Sequence, residues 1–221
     1  MRLLLHRIRL DTANRGVARA SAGDHHRMLT KTLGPLPSTS GQGARQTAGL
    51  LFRDETTRAG RCLIVQSQTP LDHSALGPGY TLEASRDISA VLEVLDQEPT
   101  LRYRIVAAPV KRLGKTEQQR ELTTEDGERL SSKEHTTTLR GAAAEEWWQR
   151  KAADHGLELR SINAGEAEEV ADPRRRIRLP AVCFDGLATV TDPQTARRAL
   201  AEGIGRGKAF GLGLLSLAPG E

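Results

Sequence analysis

Two adjacent histidines, His25 and His26, follow Asp24 at the expected start of a helix, where either could act as an acid or a base. The dipole at a helix N-terminus favours a neutral histidine, and the free backbone N–H groups there attract phosphate. Arg27 and Lys31 are four residues apart and could offset the charge of a phosphodiester. These residues are suited to place a histidine as a general base beside a phosphodiester. On the residues alone, an ordinary surface or core histidine stays open as the alternative.

The other reactive side chains give little support to metal or nucleophile chemistry. Four further histidines show no spacing typical of a zinc site, namely His6, His73, His135 and His155. No cluster of Asp and Glu resembles a two-metal nuclease site, and no Gly-x-Ser-x-Gly elbow is present. A nuclease made from these residues would therefore work without a metal. RNA permits this because its own 2′-hydroxyl can attack the neighbouring phosphorus.

A glycine-rich segment near the end of the chain is the second candidate for contact with phosphate. Five glycines lie between residues 203 and 213, together with Arg206 and Lys208. Glycine lets the backbone take positive φ and approach a partner closely. Ala209 stands where a P-loop needs Ser or Thr, and Lys208 stands where the dinucleotide fingerprint needs its third glycine. The segment predicts either a phosphate-bearing partner held over a sheet or a glycine-rich turn in a crowded core.

The positive charge of the chain is concentrated in two stretches. The net charge is +4 and the isoelectric point is near 9.4, which permits an anionic partner. The first stretch contains Arg102, Arg104, Lys111, Arg112 and Lys115, and the second contains Arg174, Arg175, Arg176 and Arg178. Either cluster could meet such a partner.

The cysteines and the distribution of apolar residues bear on location. Cys62 and Cys183 lie in apolar, strand-like stretches, which predicts buried free thiols in a reducing compartment. Residues 1–10 contain three arginines and lack the apolar core of a signal peptide. No stretch approaches the ~18 apolar residues of a membrane span. We therefore expect a soluble, cytoplasmic protein with no membrane partner.

Hydrophobic periodicity predicts the elements that hold these residues. In the first half we expect a strand over 1–10, a helix from Asp24 to Gly34 and strands over 48–53, 61–67 and 80–84. In the second half we expect a strand over 101–105, a polar insertion over 113–140, a helix over 142–155 and a strand over 157–162. A basic hairpin with its tip near 173–178, a hairpin turn at Asp185-Gly186, a helix over 193–202 and a strand over 214–217 follow.

The second half thus has the order β-α-β-β-α-β, and the first half can be fitted to the same order. This is the ferredoxin-like arrangement, which RNA-recognition modules share. Aromatic residues make up only 3% of the chain, so loops, helix ends and basic hairpins would have to bind RNA. The predicted fold class is α+β, with two tandem ferredoxin-like (RRM-like) domains over residues 1–97 and 98–221.

Four stretches carry a resemblance to a known family. They are His26–Lys31 (HRMLTK), Leu101–Arg112 (LRYRIVAAPVKR), Val182–Leu187 (VCFDGL) and Gly203–Pro219 (GIGRGKAFGLGLLSLAP). On these stretches the chain resembles, over nearly its whole length, the CRISPR-associated endoribonuclease of the type I-E Cascade complex, the CasE family. The last stretch is the most specific, because its spacing, cations and terminal strand agree at once.

The resemblance implies cleavage of CRISPR precursor RNA at the base of the repeat stem-loop, without a metal or another cofactor. The 2′-hydroxyl would attack, leaving a 5′-hydroxyl and a 2′,3′-cyclic or 3′-phosphate end, and the enzyme would keep its product as a Cascade subunit. The family's catalytic histidine falls on His26, with Lys31 as a candidate second group. The residues expected to bind RNA are Arg27, Arg102, Arg104, Lys111, Arg112, Arg174, Arg175, Arg176, Arg178, Arg206 and Lys208.

One departure from the family's pattern concerns that second group. Some relatives have a tyrosine three residues before the histidine, where this chain has Gly23. His25 or Lys31 is then the candidate, or positioning of the 2′-hydroxyl suffices. Two other functions stay open: a non-catalytic subunit that holds guide RNA, and a small-ligand domain with a glycine-rich phosphate loop.

Overall fold

The computed structural model describes residues 1–34, 48–97, 99–112 and 136–220, and its two main sheets are antiparallel. The first unit contains β1 (Leu4–Leu10), α1 (Arg15–Ala18), α2 (Ala22–Lys31), β2 (Leu51–Thr57), β3 (Gly60–Ser67), a 3-10 turn (His73–Ala75) and β4 (Tyr80–Asp87). Its strand order is β2-β3-β1-β4, and each neighbouring pair is antiparallel. This is the ferredoxin-like order, with the 3-10 turn in the place of the second helix.

The first unit is held by an apolar core between α2 and its sheet. Strand β1 buries every second residue, as the alternation of apolar and charged residues predicts. Ile8 of β1, Leu29 of α2 and Phe52 of β2 are each no more than 1% exposed and belong to one cluster. The arginines on the other face of β1, Arg7 and Arg9, pair with Glu83 of β4 at 3.1 and 3.3 Å. The core therefore fixes α2 against β1 and β2.

The start of α2 corrects the prediction that Asp24 caps the helix. Ser21 is the N-cap: its Oγ accepts the Asp24 amide at 3.2 Å, and Asp24 Oδ2 accepts the Ser21 amide at 3.0 Å. This reciprocal capping box begins the helix earlier in the chain. His26 consequently lies past the first turn, and Gly23 lies within it. Residues 35–47, whose content of Gly, Ser and Thr predicts a loop, lie outside the described residues.

The second unit repeats the ferredoxin-like order with a divided second strand. Its elements are α3 (Val91–Val94), a 3-10 turn (Leu95–Gln97), β5 (Thr100–Ala107), β6 (Val110–Arg112), β7 (Thr136–Thr138), α4 (Ala142–Ala153), β8 (Leu157–Leu159), β9 (Asn163–Ala164), β10 (Glu168–Asp172), β11 (Ile177–Val190), α5 (Pro193–Glu202), a 3-10 turn (Lys208–Phe210) and β12 (Ser216–Pro219). The sheet order is β10-β11-β5-β12, and the short strands β8 and β9 also pair with β11. The α+β fold with two tandem ferredoxin-like units is confirmed.

Strand β11 contradicts the hairpin turn predicted at Asp185-Gly186. The strand runs unbroken through both residues, which pair with β5 inside the sheet. A Cβ at Gly186 would lie 2.2 Å from the carbonyl oxygen of Ser161. The glycine therefore permits a close crossing of two chain segments, which is the other common reason for glycine in a strand.

Two further predictions need correction. The stretch 113–140, predicted as a polar insertion, contains strand β7, which pairs with β6, while residues 113–135 lie outside the described residues. The last strand, predicted over 214–217, begins at Ser216. Leu214 and Leu215 are buried in the segment before it. Their burial explains the apolar pattern that predicted a strand there.

The core of the second unit reaches back into the segment that precedes it. Trp148 of α4 stacks on Phe184 of β11, with 5.7 Å between ring centroids, and neither side chain is exposed. Leu3, Leu92 and Leu95 are buried in the same cluster. The domain boundary predicted between residues 97 and 98 stays a prediction.

A buried arginine joins the two units. Arg53 of β2 is 4% exposed and donates from Nη1 to the Leu214 carbonyl oxygen and to Ser216 Oγ, both at 3.1 Å. Its Nε donates to Glu55 at 2.7 Å, which balances the buried charge. Gln66 of β3 donates to the Leu200 carbonyl oxygen at 2.6 Å. The two sheets are therefore linked by directed hydrogen bonds.

Both cysteines are free thiols, as predicted, and Cys62 is buried; the predicted burial of Cys183 is wrong, because this residue is half-buried. In the ranges that the structure describes, no helix has the length and apolar character needed to cross a membrane.

Candidate active site

His26 is held on the side of α2 that faces β2. Its side chain is half-buried, and its ring lies nearly parallel to that of Phe52, with 6.5 Å between centroids and 12° between planes. Phe52 is itself 1% exposed and fixed in the core. The imidazole therefore has a rigid apolar surface on one side, which sets its orientation.

The glycine-rich segment packs against the same phenylalanine. Gly211 has φ 80°, and a Cβ there would lie 3.1 Å from Phe52 Cε2. Gly207 has φ 84°, and a Cβ there would lie 2.7 Å from Leu212 Cδ1. The 3-10 turn between these glycines contacts α2. Crowding therefore explains both glycines, and it brings the segment carrying Arg206 and Lys208 next to the helix of His26.

The basic hairpin formed by β10 and β11 also reaches α2. Arg174, Arg175 and Arg176 form its exposed tip, and Arg174 Nη1 lies 3.8 Å from Asp24 Oδ1 of α2. Arg178 is exposed on β11 and pairs with Glu169 at 3.0 Å. The hairpin predicted from the sequence is thus present, with its arginine side chains directed to solvent beside α2.

His25, in contrast, is a buried member of a separate polar cluster. It is 1% exposed, its Nδ1 is hydrogen-bonded to the Tyr80 hydroxyl at 2.9 Å, and its Nε2 lies 3.7 Å from Asp54 Oδ2. Burial lowers the pKa of His25, although the Asp54 carboxylate opposes this. Asp54 is held by Arg61, whose Nε donates to it at 3.0 Å. The burial favours His26 over His25 as the histidine that can meet RNA.

The other charges on α2 lie towards both of its ends. Asp24 has its pKa lowered to about 2, first by the Ser21 hydroxyl and also by Arg27, so it is ionised at neutral pH. Arg27 Nη2 donates to Asp24 Oδ1, which places the guanidinium on the hairpin side of the helix. Lys31 is exposed in the last turn, about 140° around the helix axis from His26. Its predicted role as the second group stays a prediction.

A tyrosine at position 23, as in some relatives, would displace the side chain of Asp172 in this fold. A Cβ at Gly23 would lie 2.0 Å from Oδ2 of Asp172, whose side chain is fully buried. The space that a side chain at 23 would enter is therefore filled by this carboxylate.

Three predicted RNA-binding residues lie on the strands of the second unit. Arg102 and Arg104 are exposed on β5, and Lys111 is exposed on β6. Arg104 borders a cleft of about 650 Å³ between the two units, together with His25, Asp54 and Phe210. The side chain of Arg112 lies outside the described residues. The hairpin tip and the 3-10 turn that begins at Lys208 thus lie next to α2, and Arg104 of β5 lines the same cleft as residues of α2 and β10.

Several residues of this site carry no signal in the sequence. Phe52, Asp54, Tyr80 and Asp172 come from three strands, and each reaches α2 or its neighbours only through the tertiary fold. Among the described residues, no group of three or more His, Cys, Asp or Glu side chains could hold a metal ion.

Together, the fold and the site define a tandem ferredoxin-like protein with a histidine-bearing helix between a basic hairpin and a glycine-rich turn. A family model described as CRISPR associated protein matches residues 3–219. The chain therefore belongs to this CRISPR-associated protein family.

Individual relatives are similar to this chain over almost its full length. The chain is 31% identical, over 97% of its length and 99% of the relative's, to the CRISPR-associated endoribonuclease Cse3 of Thermus thermophilus. It is similar to the structure of Thermus thermophilus Cse3 bound to an RNA representing a pre-cleavage complex, at 27% identity and a TM-score of 0.78 over 99% of this chain and 100% of that one. It also matches a chain of a CRISPR RNA-guided surveillance complex in a pre-nicking state, at 43% identity and a TM-score of 0.69 over 98% and 99% of the two chains.

Proposed function

We propose that this protein is an endoribonuclease that cleaves CRISPR precursor RNA at the base of the repeat stem-loop, and that it keeps the mature RNA as a Cascade subunit. The observation that carries the proposal is the placement of His26. Its ring is stacked on Phe52 between a helix, a hairpin with an arginine-rich tip and a cationic glycine segment. Family membership and the Cse3 relative support the same activity.

His26 is the group that moves a proton in this reaction. As a base it takes the proton of a 2′-hydroxyl, whose oxygen then attacks the neighbouring phosphorus. The bond from phosphorus to the 5′-oxygen breaks, and that oxygen takes up a proton. The products are a 2′,3′-cyclic phosphate and a 5′-hydroxyl. The bond-breaking step uses no metal, and Arg27 offsets the negative charge that develops on the phosphoryl oxygens.

The arginines of the hairpin bind the RNA rather than react with it. Arg174, Arg175 and Arg176 are exposed at the tip, so their guanidinium groups can enter a groove of the stem and pair with phosphates. Arg206 and Lys208 extend the positive surface past α2. The RNA stem is thereby held by the second unit, while the helix of His26 belongs to the first.

The proposed partners follow from the relatives. The repeat stem-loop is the substrate, and the other subunits of a CRISPR RNA-guided surveillance complex are the protein partners, as in the solved complex that contains a similar chain. A cytoplasmic location fits both partners.

The test of this function is cleavage of a labelled repeat stem-loop in EDTA, beside a matched RNA with a single 2′-deoxy substitution at the suspected cut. We expect the first RNA to be cut and the second to stay intact, because the nucleophile is absent from it. Cleavage of the 2′-deoxy RNA, or loss of all cleavage in EDTA, would contradict the proposed chemistry.

A second candidate is a non-catalytic subunit that holds guide RNA. Gly23 favours it, because this position offers no side chain for acid–base chemistry and its space is filled by Asp172. Tight binding of both RNAs without cleavage of either would select this alternative.

A further inference from the structure

Asp172 is a buried carboxylate at the base of the basic hairpin. It ends β10, and its side chain has no exposed surface. Its Oδ1 accepts the backbone amide of Arg174 at 3.1 Å and that of Arg175 at 3.4 Å. An aspartate that accepts the amides of the next residues fixes the shape of a turn. The carboxylate therefore sets the conformation of the turn that carries the arginines.

The other oxygen of this carboxylate points at the first turn of α2. A Cβ at Gly23 would lie 2.0 Å from Asp172 Oδ2 and 2.8 Å from Asp172 Cγ, so any larger residue would displace this carboxylate. Oδ2 is buried and accepts no hydrogen bond from the described residues, and the nearest cation is Arg175 Nε at 4.0 Å. A negative charge at a helix N-terminus is favoured by the helix dipole. The carboxylate is thus seated in a notch of α2 made by the missing side chain.

This notch lies on the face of α2 that carries His26. Residues three apart on a helix lie on the same side, about 5–6 Å apart at Cβ, and Gly23 and His26 have this spacing. Arg174 makes a second link between the same elements through its 3.8 Å approach to Asp24. The hairpin is therefore held against the first turn of α2, next to the turn that carries His26.

We propose that Asp172 is a positioning residue that locks the basic hairpin to the helix of His26, with Gly23 as the notch that receives it. The inference rests on the proposed function of His26. RNA gripped by the hairpin is then presented to His26 at a fixed distance. Since a displacement of about 1 Å can cost about 10²-fold in rate, the lock acts on the rate of cleavage more than on affinity.

The lock itself can be tested without RNA. Gly23→Ala places a methyl group on Asp172 Oδ2, so we expect the amides of residues 170–178 to exchange hydrogen several-fold faster, measured by mass spectrometry. Gly77→Ala is the control, because a Cβ there would meet its nearest atom at 3.8 Å. Unchanged exchange in the hairpin of folded Gly23→Ala protein would overturn the lock, whether or not the protein cleaves RNA.

The effect on cleavage is measured in single turnover at saturating RNA. Asp172→Ala and Gly23→Ala should each lower the rate by about 10- to 100-fold, while Asp172→Asn should keep most of it because its amide oxygen can still accept both turn amides. Gly23→Ala combined with Asp172→Ala should be no slower than Asp172→Ala alone, because the clash is gone. Losses that add in the double variant would overturn the proposal.

Two further outcomes are separable. In Asp172→Ala, the pH dependence of the cleavage rate should keep its wild-type midpoint, and a shifted midpoint would contradict a purely positioning role. If Gly23→Ala does not fold, the comparison of Asp172→Ala with Asp172→Asn decides, and equal rates for these two would reject the lock. If the wild-type protein binds RNA without cutting it, the proposed endoribonuclease function is wrong. The hydrogen-exchange measurement would still test whether Asp172 holds the hairpin to α2.

Discussion

Adjacent residues on a helix point about 100° apart, and this angle separates His25 from His26. His25 turns into the first sheet and is hydrogen-bonded to Tyr80. His26 lies over Phe52 and is half-buried, so it is less enclosed than His25. One histidine is therefore a neutral core residue, and the other is available to a substrate.

We expect His26→Ala to lower the single-turnover cleavage rate by about 10²–10⁴-fold, the contribution typical of a general acid or base. The affinity for the repeat stem-loop should stay within a few-fold of wild type, because the hairpin and glycine-segment cations are untouched. Both quantities are measured on one labelled RNA.

His73→Ala is the matched control, because His73 is exposed in the 3-10 turn before β4, whose start is bonded to the C-terminal end of α2 and not to the turn of His26. It should cleave at the wild-type rate. A His26→Ala protein that cleaves as fast as this control would remove His26 from the mechanism.

The sequence was informative at this scale only for local patterns. The pair of histidines beside Asp24 and two cations could be recognised because all lie within one short helix. Phe52 and Asp172 could not, because their approach to α2 depends on the packing of β2 and β10. Even the helix start was misplaced, since Ser21 and Asp24 both suit a cap and only the reciprocal hydrogen bonds decide between them.

Among the elements, the hairpin of β10 and β11 carries most of the exposed positive charge near α2. Its tip residue Arg176 has φ 53°, the one non-glycine residue in the described part of the chain with positive φ. Such a conformation is uncommon outside glycine and persists where surrounding contacts impose it. The Asp172 cap supplies such contacts at the same turn.

Replacing Arg175 and Arg176 by alanine should weaken RNA binding and make it less sensitive to salt. Binding to RNA releases about one counterion for each phosphate contact. Loss of two contacts should therefore lower the slope of log Kd against log salt by up to about 2. Binding is measured at several salt concentrations by filter retention or anisotropy.

Arg58→Ala combined with Arg86→Ala removes the same charge from two exposed positions of the first unit, the turn between β2 and β3 and strand β4. This control should keep the wild-type salt slope. Equal slopes in the hairpin variant and the control would show that the tip does not contact phosphates.

Element order was predictable where each segment's own periodicity decides its type. The order β-α-β-β-α-β followed from alternating strands such as β5 and from the amphipathic helices α4 and α5. The turn predicted at Asp185-Gly186 is wrong. The glycine is there because the backbone of Ser161, a neighbour in space, leaves no room for a side chain. The division of the second strand into β8, β9 and β10 likewise depends on pairing with one long partner, β11.

At the scale of the whole molecule, the candidate site is shared between the two units. The first supplies α2 and β2, and the second supplies the hairpin and the glycine-rich turn. Arg53 holds these parts together through its bonds to Leu214 and Ser216, which flank the end of the glycine-rich segment. The site therefore depends on the relation between the units, which no local sequence pattern contains.

Stability of the whole fold should depend on pH through His6. This residue is 1% exposed on β1, and its ring nitrogens are hydrogen-bonded to Ser67 Oγ at 3.1 Å and Ser85 Oγ at 3.0 Å. Burial, with a smaller effect of His73, lowers the pKa of His6 to about 4 from 6.5. The unfolded chain therefore binds a proton at this residue between pH 6.5 and 4, while the folded protein does not.

The free energy of unfolding should consequently be greatest above pH 6.5 and fall as the pH drops towards 4, by on the order of 3 kcal/mol from this residue. His25, whose pKa is also lowered, adds in the same direction. Urea unfolding at several pH values measures the slope. His6→Gln should flatten it, whereas His155→Gln, at a half-buried histidine after α4, should keep it. Equal slopes for wild type and His6→Gln would mean that His6 does not couple proton binding to unfolding.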